Sequence, residues 1–553
     1  LNNYKSEILQ TLVRYFPTNI DPVSALAMMN LGTVQPLTTG DYPANRVSSL
    51  FGRLFYDYKG KYLASATFRA DGSSKFAPGN QWGYFPSAAL AWRISDENFL
   101  KSTNHWLSDL KLRASYGESG NNRISDNAWQ KTFDVRGANT TYTGGLFIEG
   151  DETTVSTFLS PSTVLSNPKL RWETTETMNA GVDFGFFKQR LSGTVEIYKN
   201  TTKDLLIQAT IPASTGYSKQ WQNIGQTSNR GLEVTLNGVI VEKNDFRLSA
   251  SFNIGFNKNR IDKLGETKQW EQAAGWLGWV GTGTVATDYL IKEGQPVGQM
   301  YGYETDGMYS VDDFYYDAAK KDYILKENVP SNKGLLGALR FWPGTLKFKD
   351  QNGDLVVDAK DRVVIGDANP KHTGGFNLTG QYNGFDLSLF FNWVYGNDVY
   401  NANKLFFTSR PFYLYRNVLD MSNSDNRYMY INKETGLLVS DPVELAEMNK
   451  NATIWSPGSM TNLQLHSWAI EDGSFLRLNT VTVGYTLPKD ISSKLKVNQL
   501  RIYASAYNVW TWTKYSGYDP EVDVVRGTPL TPGVDWCAYP RSRSFNVGLN
   551  IEF

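Results

Sequence analysis

The sequence predicts an all-β chain: a transmembrane antiparallel β-barrel, with its wall and loops over residues 48–553. Three observations predict it. Apolar and polar residues alternate over stretches of about 10 to 14 residues, where a globular strand has about 5 or 6 and a tilted membrane-crossing strand about 9 to 11. Connections between these stretches alternate between very short and very long, the layout of bacterial outer-membrane barrels with short periplasmic turns. The composition is rich in aromatics (31 Tyr, 29 Phe, 16 Trp) and in Gly (48), which suits strands and wide turns.

The alternation is clearest at the C-terminus. Phe545, Val547, Leu549, Ile551 and Phe553 lie opposite Ser544, Asn546, Gly548, Asn550 and Glu552. Leu248, Ala250, Phe252, Ile254 and Phe256 share one face of another segment, and so do Phe385, Leu387, Leu389, Phe391, Trp393 and Tyr395. Met178 to Phe186 and Leu191 to Ile197 behave alike. A closed barrel satisfies every backbone N–H and C=O within lipid, and its polar alternate face lines a wet lumen. A soluble sandwich also alternates, so strand length carries the distinction.

Along the chain, strands are expected near 48–58, 61–70, 83–94, 107–117, 174–187, 190–208, 229–241, 245–258, 372–383, 385–398, 475–487, 499–511 and 543–553. Asn383–Gly384 is a two-residue hairpin signal. Residues 1–47 read as an extracellular loop region, and 118–172, 258–371, 399–474 and 512–542 as large extracellular loops. An extended piece near 297–309 would break the alternation of sides, so it is placed inside such a loop. These thirteen strands are an odd number, whereas single-chain bacterial barrels have an even one with both ends periplasmic. At least one strand is therefore expected upstream of Leu1. Residues 1–20 have neither a starting Met nor a basic-then-apolar leader, which agrees with a start inside a longer protein.

Lys plus Arg and Asp plus Glu each number 55, so the formal net charge is zero and no nucleic-acid partner is indicated. There is no run of 18 apolar residues that would make a membrane helix. The single cysteine, Cys537, can form no intrachain disulfide.

Several long blocks then carry a family resemblance. FGRLFYDYKGKYLASATFRADGSSKFAPGNQWGYFPSAALAWRISDENFL (51–100), NPKLRWETTETMNAGVDFGFFKQRLSGTVEIYKNTTKDLL (167–206), NIGQTSNRGLEVTL (223–236) and PGTLKFKDQNGDLVVDAKDRVVIGDANPKHTGGFNLTGQYNGFDLSLFF (343–391) come first. SFLRLNTVTVGYTLP (474–488), LRIYASAYNVWTWTKYSGYDPEV (500–522) and YPRSRSFNVGLNIEF (539–553) follow. In that order they resemble the SusC/RagA branch of TonB-dependent transporters. The resemblance implies that the chain is the C-terminal portion, about 13–14 strands, of a 22-stranded barrel whose plug domain is absent from this chain. It implies active import of oligosaccharides or oligopeptides across the outer membrane of a Bacteroidetes-like bacterium. It further implies a SusD-like surface lipoprotein as a lid, the TonB complex as energy source, outer-membrane lipid around the wall, and a dimer of transporter–lipoprotein pairs. Phe553 matches the terminal aromatic that the barrel-assembly machinery reads.

Residues 350–361 (DQNGDLVVDAKD) place Asp350, Asn352, Asp354, the Val356 backbone, Asp358 and Asp361 at positions 1, 3, 5, 7, 9 and 12 of an EF-hand-type loop. Oxygen ligands at that spacing suit a structural Ca²⁺. Leu355 stands where such loops carry Gly, and Asp361 where they carry Glu; an acidic, solvated turn is the alternative. No other cofactor is expected. Trp276 and Trp279, in GWLGWVGTG, are the expected substrate- or lid-contacting pair, because indole faces stack on sugars and peptides. His105, His372 and His466 are the only histidines, and no G-x-S-x-G or H-E-x-x-H motif accompanies them, so catalysis is not expected. A passive porin or adhesin is the alternative that the strand pattern alone leaves open.

Overall fold

All thirteen expected strands form, and a fourteenth joins them, but the one expected over 190–208 stops at Lys203, and Leu206–Thr210 pairs in a separate small sheet. The computed structural model describes residues 44–136, 158–161, 163–265, 267–276, 287–338, 340–409, 417–524 and 528–553, and five short strand segments between residues 2 and 41. In series order the main sheet contains β1 (Asn2–Lys5), β2 (Ala44–Tyr58), β3 (Tyr62–Ser73), β4 (Trp82–Arg93), β5 (Leu107–Asn121), β6 (Glu173–Phe186) and β7 (Leu191–Lys203). It continues with β8 (Gln226–Lys243), β9 (Phe246–Lys263), β10 (His372–Tyr382), β11 (Phe385–Tyr395), β12 (Phe475–Thr486), β13 (Gln499–Thr513) and β14 (Ser544–Glu552).

Strand β1 corrects the count of thirteen. Asn2 pairs with Val47 and Lys5 with Ala44, antiparallel. The sequence hid this strand because Asn-Asn-Tyr-Lys carries no apolar alternation. Among the described residues the main sheet thus has fourteen strands.

The chain divides into two compact units. The first comprises Leu1–Trp92, Arg113–Asn179 and Asn200–Thr227. In it β1 to β4 pair in sequence order, with Tyr58 opposite Tyr62 and Tyr62 opposite Trp92. Phe76, Phe85, Ile124, Leu170 and Trp172 form its buried cluster. The second unit comprises Arg93–Leu112, Ala180–Lys199 and Ser228–Phe553. Its ladder runs from β9 through β10, β11, β12 and β13 to β14, antiparallel throughout.

The Asn383–Gly384 hairpin forms as expected. Both residues have positive φ (47° and 85°), as a type I′ turn requires, and Tyr382 pairs with Phe385. Large apolar side chains of the strands lie open. On β14, Phe545 and Val547 are 77% and 82% exposed, and on β2 Leu50 and Leu54 are 73% and 76% exposed. Large apolar side chains left open to this degree suit lipid, where burial from water comes from the bilayer instead of a protein core. Register shifts fall between Phe390 and Phe391 on β11 and between Leu478 and Thr480 on β12. They leave Asn479 without a register partner in either ladder of β12, and Asn508, beside it on β13, has φ 53°.

The long connections of the second unit are folded, not loose. Residues 264–371 build a four-stranded sheet from Gln269–Gln272, Tyr289–Lys292, Gln299–Gly302 and Val363–Asp367. The piece near 297–309 thus belongs to small loop sheets, Thr305–Met308 pairing with Leu346–Phe348. Asp398–Asn401 pairs with Ile470–Asp472 and, in parallel, with Val534–Asp535. Three connections separated in sequence therefore share one body.

Candidate functional site

That body has its own apolar core. Tyr289, Met300, Leu336, Phe348, Tyr400 and Leu405 are among its fully buried members. A second cluster holds Tyr309, Phe314, Tyr323, Trp342 and Tyr428. Core formation here needs residues more than a hundred positions apart, and burying each large side chain contributes about 1.5–3 kcal/mol.

The structure corrects the reading of Trp276 as a ligand- or lid-facing residue. Its side chain is wholly buried. Its Nε1 donates to Tyr400 Oη at 2.9 Å, and its ring lies 4.9 Å from Trp536 and edge-on to Tyr400 at 5.9 Å. A Trp with a satisfied indole N–H and aromatic neighbours on several sides anchors a core. Trp279 lies outside the described residues. Trp342 and Trp455 are also buried, and Trp270 packs against Ile261 and Ile291.

Two titratable groups lie in or beside this core. Asp288 is buried and accepts from Ala274 N at 2.6 Å; burial pushes its carboxyl up to about 7 against the lowering effect of backbone amides and Arg362. His466 is buried between Phe348, Trp455 and Trp468. Burial, aided by the charge of Lys404, lowers its imidazole to about 3. Its Nδ1 meets Thr305 Oγ1 at 2.8 Å, while its Nε2 and the nearby Trp455 Nε1 have no hydrogen-bond partner. His105 contacts Ser102 O, and His372 stacks on Tyr395.

In the acidic loop, the carboxylates fold the backbone. Asp350 accepts from the amides of Asn352, Gly353 and Leu355 at 3.2, 2.7 and 2.8 Å. Asn352 accepts from Asp354 N, Asp354 from Val356 N, and Asp358 from Lys360 N. Asp361, fully buried, takes Gln351 N on one oxygen and Asp358 N on the other. Burial raises the Asp350 carboxyl, but the amides of Gly353, Leu355 and Asn352 outweigh it and hold it below the usual range. Leu355 has φ 63°, the left-handed conformation that Gly takes at this position. Val357 is buried in the loop body's core. Among the described residues no group of three His, Cys, Asp or Glu side chains is gathered as it would be around a metal ion. Phe553 is 86% exposed, just past β14, and its carbonyl accepts from Asn498 Nδ2 at 2.5 Å.

Two cavities of the second unit share the segment 424–459. One of about 820 Å³ touches Arg427, Met429, Ile431 and Glu444. A neighbour of about 330 Å³ is lined by Arg340, Arg427, Tyr428, Leu438 and Ser456. No local motif marks these residues; they meet only because Arg427 bridges to Ile454 in parallel and Ile431 to Leu438 in antiparallel.

Comparison with known proteins fits this architecture. Residues 9–509 match the family model described as TonB dependent receptor-like, beta-barrel. TonB-dependent receptor P39 of Formosa agariphila is 33% identical over 536 residues, covering 93% of this chain and 47% of the relative. TonB-dependent receptor SusC of Bacteroides thetaiotaomicron is 30% identical over 513 residues, covering 92% of this chain and 45% of the relative. The RagAB peptide importer in its closed-closed state superimposes with a TM-score of 0.68 at 25% identity, over 94% of this chain and 49% of that one. The chain thus spans about half the length of the relatives it matches. It belongs to the TonB-dependent receptor-like β-barrel family, in its SusC/RagA-type branch, and is part of an outer-membrane barrel.

Proposed function

We propose that this chain supplies the wall and the folded loop body of an active importer of bulky nutrients, powered through TonB and covered by a SusD-like surface lipoprotein. The observation that carries the reading is the family match across 9–509, joined to loops that fold into a packed body. A passive pore gains nothing from such a body, whereas a lid needs a rigid surface to close on. Likeness to the RagAB peptide importer favours oligopeptides among the substrates; the SusC relatives keep oligosaccharides in the reading. The chain acts by binding and moving substrate, with no bond made or broken.

The test is purification of the native complex from outer membranes, followed by uptake of labelled oligopeptides and oligosaccharides in cells with and without TonB. Co-purification of a lipoprotein and TonB-dependent uptake are expected. Uptake indifferent to TonB would make the protein a porin. A structural Ca²⁺ in the acidic loop would add to this reading. A saturable calcium heat with a raised melting temperature supports it; no heat and an unchanged melting curve in chelator removes it.

A further inference from the structure

We propose that the cavity of about 330 Å³ beside segment 427–459 binds the carboxylate of an oligopeptide through Arg340 and Arg427. The proposal rests on the importer reading and names the chemistry that one site would select.

Both guanidiniums have bonding capacity to spare. A guanidinium carries five N–H donors in a fork that matches a carboxylate. Arg427 uses Nε on the weak acceptor Met429 Sδ, at 3.2 Å, and Nη1 on Ser422 O, at 3.3 Å. Arg340 lies 4.8 Å over the Trp342 ring, which engages its face and leaves its edges. Among the described residues neither arginine forms an ion pair. Three acids that line the neighbouring cavity of about 820 Å³ already have partners: Asp425 pairs with Lys433 and Glu447 with Lys450, and Asp441 caps the amides of Val443 and Glu444. Glu434 and Glu444 line the neighbouring cavity with Arg427, where Lys433 is the other cation.

The remaining lining favours a peptide over an acidic sugar. A pyranose needs an open aromatic face. Tyr428 is buried, and its ring presses so closely on Gly344 that a Cβ there would meet it at 2.2 Å. Tyr430 donates its hydroxyl to Pro343 O at 2.9 Å and packs edge-on against Trp342. What stays open is aliphatic: Ile431 and Leu438 are 42% and 45% exposed. An apolar side chain beside a carboxylate fits that combination. Arg427, Met429 and Ile431 also line the cavity of about 820 Å³, which gives the rest of a peptide somewhere to lie.

The test uses the full-length transporter in detergent and a synthetic octapeptide with one glutamate and a leucine at its C-terminus. Arg340→Gln and Arg427→Gln are each expected to weaken binding about tenfold, as loss of a charge-assisted hydrogen bond does. Arg427→Lys should restore part of the loss. Arg340 is exposed, so its variant keeps the test valid if Arg427→Gln unfolds, and melting curves identify that case. Two further peptides separate the sources of the carboxylate. A matching loss on C-terminal amidation assigns the terminus, and a loss on replacing glutamate by glutamine assigns the side chain. Equal affinity of all variants, or no saturable peptide binding, overturns the proposal. So does trigalacturonate binding that depends on the arginines while the octapeptide does not bind. Cells importing the octapeptide equally well through Arg340→Gln would fault this site alone, whereas TonB-independent uptake of every probe would fault the importer reading.

Discussion

At the scale of single residues, Arg477 is the clearest case of a side chain whose environment fixes its role. It is 1% exposed on β12 and reaches Asp519 at 2.6 Å, Glu521 at 3.1 Å and Thr511 Oγ1 at 3.0 Å. Arg541 closes the box by pairing with the same two acids. Removing Arg477 leaves Asp519 buried beside a single, longer ion pair. Arg477→Ala is therefore expected to cost about 3–5 kcal/mol, read as a lowered melting temperature; an unchanged one would mean the box contributes nothing. Asp288 gives a pH-dependent counterpart. Its folded pKa, raised to about 7 by burial, exceeds the ordinary carboxyl value of 3.8. The stability it contributes is thus complete below about pH 4 and lost as pH rises through 7. Asp288→Asn keeps an oxygen for Ala274 N, so it should raise the melting temperature at pH 8 and leave it unchanged at pH 4. His466 runs the other way: its folded value of about 3 lies below 6.5, so its contribution is complete above pH 6.5 and lost as pH falls toward 3.

At the scale of elements, the acidic loop shows how one carboxylate holds a turn. Asp350 accepts three amides, and no other acceptor replaces it. Asp350→Ala should speed amide exchange at Asn352, Gly353 and Leu355 while leaving β10 and β11 as protected as before. Equal exchange in variant and wild type would show that the turn holds itself. The strands were legible because period-2 alternation is a local property; β9, β11 and β14 could be read off a dozen residues each. β1 was illegible for the complementary reason, since Asn-Asn-Tyr-Lys carries no apolar alternation.

At the scale of the molecule, the exposed apolar side chains of the strands tie the fold to the membrane. Val547 and Asn546 are adjacent on β14 but point to opposite faces. A cation at the lipid face costs about 2–4 kcal/mol at the bilayer midplane. Val547→Arg should therefore reduce the amount of heat-resistant folded barrel in outer membranes, and Asn546→Arg should be tolerated. Equal assembly of both would mean that β14 does not meet lipid there.

The sequence by itself determined the all-β class, thirteen strands, the short hairpins and the family, because alternation, turn residues and long motif blocks are written locally. The tertiary structure alone decided what the loops are. Segments that read as polar connections supply Tyr289, Leu336, Phe348, Tyr400 and Leu463 to one core, and that core takes in Trp276, whose Gly-rich surroundings in sequence suggested a surface. It also brings Arg340 and Arg427 to one cavity across 86 intervening residues. Hydrophobic burial is non-directional and blind to sequence separation, so a core gathered from three distant connections leaves no period in the sequence to read.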